Sequence, residues 1–188
     1  DYSHKRGFPA IHKGIDIPQP KGTPVLAVAS GVVIGKFMNT NNRKGIEIVL
    51  RHLPKQTGLP FYTYTQYTHL MEMSPLPIGA IVKIGDEIGK VWNTGKMGRK
   101  IRRSALHFAV LYSKSPNWTN DGYFVAPVDS YWMDPVSFFS KSGPYESQRI
   151  KQLKPSQKAI PISYQLLDGR RVNNDAKRIW PFHCVTGK

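Results

Sequence analysis

Between residues 10 and 140 the apolar positions fall in short runs broken by Gly, Pro or Asn, and none holds a sustained helical period. The runs at 25–29, 31–34, 46–50, 61–68, 81–84, 88–92 and 106–111 are rich in β-branched and aromatic residues, which suit a pleated surface. Ile46-Glu47-Ile48-Val49-Leu50 and Tyr62-Thr63-Tyr64-Thr65-Gln66-Tyr67 read as half-buried strands. Turns are marked at Pro20-Lys21-Gly22, Thr40-Asn41-Asn42, Ile84-Gly85-Asp86 and Asn93-Thr94-Gly95. The pattern predicts a mainly β, antiparallel sheet domain over residues 1–140, closed by Asp134-Pro135-Val136-Ser137-Phe138-Phe139 and without internal repeat. Residues 141–188 are expected to form a basic C-terminal extension, ordered or flexible. A short strand is read at 160–167, leading to a turn at Asp168-Gly169, and the cluster Trp180, Pro181, Phe182 favours the ordered form.

Composition narrows the class. With 188 residues, 40% of them hydrophobic, the chain can bury a core without cross-links, and it is neither a coiled coil, a collagen nor a disordered chain. No apolar run approaches the ~20 residues that span a bilayer, so no transmembrane segment is expected. The chain opens on Asp1, without a charged-then-apolar leader, and is read as a mature or trimmed product. A single cysteine, Cys184, excludes an internal disulfide and any multi-cysteine zinc site. The net charge is +15, and residues 141–188 hold ten basic residues against three acidic ones. Such a field attracts polyanions: nucleic acid, anionic lipid or an anionic wall polymer. No nucleic-acid motif accompanies it, so a specific nucleic-acid partner is not expected. The densest basic stretch, 96–103, ends at Arg103 and reads either as a solvated loop or as a clamp for an anionic substrate beside a site, the second slightly favoured by its place just before the strand of His107.

Three segments carry chemistry. In His12-Lys13-Gly14-Ile15-Asp16-Ile17 the glycine and the flanking Pro9 and Pro18 argue against a helix. An extended segment puts Ile15 and Ile17 on one side and His12, Gly14 and Asp16 on the other. In Ala105-Leu106-His107-Phe108-Ala109-Val110 the apolar set Leu106, Phe108 and Val110 faces a core, leaving His107 between two alanines. Tyr67-Thr68-His69-Leu70 ends a strand with His69 in phase with Phe61, Thr63, Thr65 and Tyr67. Two histidines and a carboxylate suffice for an open zinc site with a coordination position left for water. Other hydrolase signatures are absent: no His-Glu-x-x-His, no Gly-x-Ser-x-Gly, no Walker loop.

The run 12–34, "HKGIDIPQPKGTPVLAVASGVVI", resembles the opening of lysostaphin/LytM-type zinc endopeptidases, bacterial enzymes that cut peptide bonds in peptidoglycan. The likeness continues through "IEIVLRH" (46–52), "YTHL" (67–70), "IVKIGDEIGKVWNTG" (81–95), "ALHFAV" (105–110) and "DPVSFF" (134–139), and it does not reach the C-terminal part. It implies a β domain with a substrate groove, Zn2+ as cofactor, peptidoglycan peptides as substrate, and a place in the bacterial cell envelope, periplasmic or secreted. It also implies His12, Asp16 and His107 as metal ligands and His69 as one of two catalytic histidines. The second catalytic histidine belongs to a His-x-His motif whose last member is His107, and here that place is taken by Ala105. Ala105 has no proton, lone pair or charge to offer, so reduced turnover is expected while metal binding survives. Two origins compete for it, an introduced replacement of histidine or a natural loss in a binding or hydrolase-activating relative; the intact ligand set favours the first. Tyr62 and Tyr64 are expected to line the substrate groove or to pack across strands, and Arg103 to bind substrate. His52 is read as structural or as a groove edge.

Overall fold

A computed structural model describes residues 13–39, 43–95 and 103–185. His12 and most of the basic stretch at 96–103 therefore lie outside the described residues. The strands are β1 (Ile15–Pro18), β2 (Pro24–Leu26), β3 (Gly31–Asn39), β4 (Gly45–His52), β5 (Tyr62–Leu70), β6 (Ile81–Val82), β7 (Glu87–Lys90), β8 (Ala105–Ser113), β9 (Trp118–Asn120), β10 (Val125–Pro127), β11 (Tyr131–Met133), β12 (Gln165–Leu166) and β13 (His183–Cys184). The central seven-stranded sheet runs β1-β8-β5-β4-β3-β6, and β1 and β11 share the outer edge of β8. Every pairing in that sheet is antiparallel, so the mainly β, antiparallel expectation holds.

Period-two alternation sorts the sheet into two faces. Leu106, Phe108 and Val110 of β8 join Ile48 and Leu50 of β4, Tyr67 of β5 and Ile17 of β1 in the larger core, which Phe138, Phe139 and Phe182 complete. The opposite face carries a smaller cluster of Ile34, Phe37, Val49, Tyr64, Leu111 and Val125, and a cleft beside it that Leu111 and Val125 help to line. The run 25–29 is buried throughout, yet only its first two residues belong to a strand. Beyond Leu26 its backbone bonds outward to single partners, Ala27 N to Asp86 O and Val28 N to Tyr67 Oη, instead of to a ladder.

The C-terminal residues pack on the larger core. Leu26 N donates to Pro181 O, Ile179 N donates to Val28 O, and Arg178 Nη1 donates to Phe138 O while its guanidinium lies over the Phe138 ring. Burial of Ile179 and Phe182 makes that packing a hydrophobic one. Among the described residues no helix is long and apolar enough to cross a membrane.

His52 sits inside the sheet and not at a groove edge. It is fully buried, with Nδ1 2.8 Å from Ser30 O and Nε2 2.8 Å from Thr65 Oγ1. The carbonyl can only accept, so Nδ1 carries the proton and Nε2 accepts from the threonine. Burial pushes the imidazole pKa down to about 4.

Candidate metal centre and cleft

Register brings the chemistry together. Asp16 of β1 pairs with His107 of β8, which pairs with Thr68 of β5, which pairs with Glu47 of β4. Direct cross-strand partners share a face, so this row lies on the cleft side of the sheet. Asp16 Oδ1 is 2.8 Å from His107 Nδ1, and the His107 ring stands 5.9 Å from the His69 ring, steeply inclined to it. One donor atom from each of Asp16, His69 and His107 lies within 4.8 Å of the others.

His69 reaches that face by an irregularity. Strict alternation in β5 would turn it toward the core with Tyr67. However, Ile46 pairs with Leu70 while the next residue, Glu47, pairs with Thr68, so His69 is an extra residue in a β-bulge. Its φ of 68° is left-handed, a region a non-glycine residue seldom enters. Its backbone N donates to Lys44 O, its carbonyl accepts from Trp92 N, and its Nδ1 is 3.0 Å from Thr94 O. A carbonyl requires a donor, so Nδ1 is protonated and Nε2 carries the lone pair of a ring that lines the cleft.

Gly14 explains why the His-x-x-x-Asp segment needs a glycine at its centre. A Cβ there would come 2.6 Å from Cε1 and Nε2 of His107 and 2.7 Å from Phe108 O. The absent side chain makes room for the imidazole.

Glu47 is the buried end of the row. Its carboxylate pairs with Lys44 Nζ at 3.3 Å and accepts from Thr68 Oγ1 at 3.4 Å, while burial raises its pKa against the lowering influence of Lys44.

The cleft, about 610 Å³, is lined by His69, His107, Thr68 and Gln66 at its floor, and by Lys13, Arg43 and Lys44 among its basic residues. Tyr123, Phe124 and Trp132 supply an aromatic wall. That wall is pinned to the sheet: Asn39 Nδ2 donates to Tyr123 O, Asn120 Nδ2 donates to Ile34 O, and the Lys13 ammonium stands 5.2 Å over the Trp132 ring.

The expected groove residues fare differently. Tyr64 is fully buried in the smaller core, so it packs across strands and does not line the cleft. Tyr62 packs against the same cluster with the Arg51 guanidinium 4.8 Å over its ring, and it too is absent from the cleft walls. Arg103 is exposed and is not among the described residues that line the cleft. Ala105 is buried at the start of β8, opposite Pro18 and on the same face as His107. Most wall residues sit in the short strands and turns of 123–132 or beside the turn before β4, at Arg43 and Lys44, where no periodic pattern singles them out.

The donor set fits a divalent ion. Asp16 and His107 offer a carboxylate and an imidazole, ligand types that hold zinc at ~2.0–2.2 Å, and His69 brings a further imidazole nitrogen within 4.8 Å of both. The direct His107–Asp16 contact means that two of the donors are already positioned by the β1–β8 pairing.

Comparison with known proteins agrees with this geometry. A stretch of an uncharacterised protein of Haemophilus influenzae is 31% identical over 105 residues, covering 55% of this chain and 22% of that protein. An uncharacterised metalloprotease of Buchnera aphidicola subsp. Baizongia pistaciae is 33% identical over 84 residues, covering 45% of this chain and 20% of its own length. The matches thus span about a fifth of either relative. In fold, the chain is similar to LytU (TM-score 0.53, 24% identity, 85% of this chain and 87% of that one). It is also similar to the catalytic domain of lysostaphin, an antimicrobial peptidase from Staphylococcus simulans (TM-score 0.51, 24% identity, 72% and 84%). The profile of Peptidase family M23 matches residues 10–118. With its antiparallel sheet, its cleft and that match over more than half its length, this chain belongs to Peptidase family M23, a family of metallopeptidases.

Proposed function

We propose that this chain is a zinc-dependent endopeptidase acting on the stem or cross-bridge peptides of peptidoglycan in the bacterial envelope, periplasmic or secreted. The observation that carries the reading is the convergence of Asp16, His69 and His107 donors within 4.8 Å of one another, with both histidines lining one cleft. Asp16 and His107 are assigned as the residues that would hold a zinc ion, with His12 as the third, and the ion would supply Lewis acidity toward the scissile carbonyl and the attacking water. His69, with Nε2 directed into the cleft, is assigned to orient or deprotonate the attacking water or to stabilise the oxyanion. The aromatic wall and the basic residues Lys13, Arg43 and Lys44 hold the peptide, and the +15 chain holds anionic wall polymer around it. Residues 1–140 are taken as the peptidase unit and 141–188 as an appended basic segment that packs on its core.

A second reading has its own observation. Ala105 occupies the cleft face two residues before His107 and offers no group for proton transfer. On that basis the chain would be a catalytically inactive member that grips peptidoglycan or activates another hydrolase.

Zinc content together with mass spectrometry of digested peptidoglycan, for this chain and for Ala105→His, separates the two. Stoichiometric zinc with new peptide products, strengthened by the histidine, supports the enzyme. Zinc without products in either chain supports the binding relative.

A further inference from the structure

The bulge that presents His69 is occupied at its back by Thr94. An unbroken β4–β5 register would pair Ile46 with His69; the bulge shifts its partner to Leu70. Here the Thr94 hydroxyl stands between them: it accepts from Ile46 N at 3.0 Å and donates to Leu70 O at 2.8 Å. The same residue's carbonyl takes the Nδ1 proton of His69 at 3.0 Å. One threonine therefore bridges the two strands at the bulge with its side chain and fixes the imidazole with its backbone.

The surroundings are shaped to let the 93–95 turn come this close. Gly45, at φ 71°, has no Cβ where one would stand 2.5 Å from Thr94 O and Oγ1. Gly95, at φ 108°, is bare where a Cβ would stand 2.7 Å from Arg43 O. Both glycines are required by the approach and by backbone angles that other residues avoid. Lys44 O, between those contacts, accepts from the His69 amide at 3.2 Å.

We infer that Thr94 is a positioning residue: its hydroxyl holds the β4–β5 bulge open, and its carbonyl keeps His69 in the Nδ1-protonated tautomer with Nε2 directed into the cleft. The assignment deepens the proposed function, since it matters to catalysis only if His69 acts there. The bridging hydroxyl distinguishes Thr94 from an ordinary turn residue. A valine of the same shape would leave Ile46 N–H and Leu70 C=O without their common partner, and the ladder would close or the turn would shift. Either change withdraws the carbonyl from His69. A serine keeps the hydroxyl and should keep the bulge.

The test reads the imidazole directly. Two-bond proton–nitrogen spectra of the 15N-histidine-labelled chain give the tautomer of each ring, with Thr94→Ser and Thr94→Val alongside. The unsubstituted chain and the serine variant are expected to show His69 protonated at Nδ1, and the valine variant a mixture or the opposite tautomer. An Nε2-protonated His69 in the unsubstituted chain overturns the inference whatever the variants do, so it stays falsifiable even if Thr94→Val fails to fold. A valine variant with the His69 signal unchanged also overturns it. In the Ala105→His background, Thr94→Val is expected to lower kcat ~10–100-fold with KM nearly constant, and Thr94→Ser to recover most of it. Because the tautomer is read without turnover, a chain that cuts no wall peptide yet shows the expected spectra would end the enzyme reading and leave this one standing.

Discussion

Gly14 and His107 occupy one another's space: the imidazole fills the volume that any side chain on Gly14 would claim, at 2.6 Å from a Cβ. The packing couples the first segment of the site to the last. It predicts that Gly14→Ala rotates or displaces the ring, which carries the Asp16 contact on its Nδ1. Zinc affinity should fall ~10–100-fold, the usual effect of misorienting a ligand. Titration against a chromophoric chelator measures it; affinity within twofold of the parent chain would contradict the packing argument.

Ala105→His should raise cleavage of peptidoglycan peptides by ~10²–10⁴-fold, the usual contribution of a positioned acid or base. The new side chain would start from the cleft face of β8, two residues from His107. Zinc affinity should change little, since the row through Asp16 and His107 is untouched. Initial rates on purified wall peptides at saturating zinc give the answer.

Removing the metal should lower the melting temperature without unfolding the domain. Asp16 and His107 are direct strand partners and bond to each other, so the site is held by the sheet. Binding to the folded state alone adds RT ln(1 + [L]/Kd), about 2.7 kcal/mol at a hundredfold excess over Kd. Calorimetry with zinc and with a chelator should show two cooperative transitions of similar shape, the chelated one at lower temperature. A chelated chain with no cooperative transition would show that the metal organises the fold.

Stability should fall as pH drops from about 6.5 toward 4, through His52. Its folded pKa is lowered to about 4 because burial disfavours the imidazolium, whereas the unfolded ring titrates near 6.5. Below 6.5 the unfolded chain binds a proton that the folded chain refuses, so unfolding is favoured progressively across that window. The full effect is on the order of 3 kcal/mol. Glu47 acts in the opposite sense, since burial raises its pKa and its stabilising share is lost as pH rises. Urea unfolding at several pH values, for the parent chain and for His52→Gln, isolates the imidazole. Parallel pH profiles of the two chains would reject this account.

Much of the architecture was legible along the chain. Alternation in 105–110 placed Leu106, Phe108 and Val110 in the core and His107 opposite them, and the extended reading of 12–17 set Asp16 away from Ile17; both follow from the two-residue period of a strand. The same rule failed at His69, because a bulge is one inserted residue and periodicity carries no record of it. It failed to separate Tyr62 and Tyr64 from the groove, since a tyrosine that packs and a tyrosine that binds look alike in sequence.

The amino-acid order by itself determined the main strands around 31–34, 46–50, 61–68 and 106–111, the face on which Asp16 and His107 stand and, through its resemblance, the family. Short-range sterics and solvent preference act within a few residues, and they are written locally. Only the tertiary structure decided which residues meet: that Gly14 yields its place to a ring 93 positions away, and that Thr94 stands in the gap behind His69. Those relations depend on the register of strands distant in sequence, which is set by the whole sheet at once.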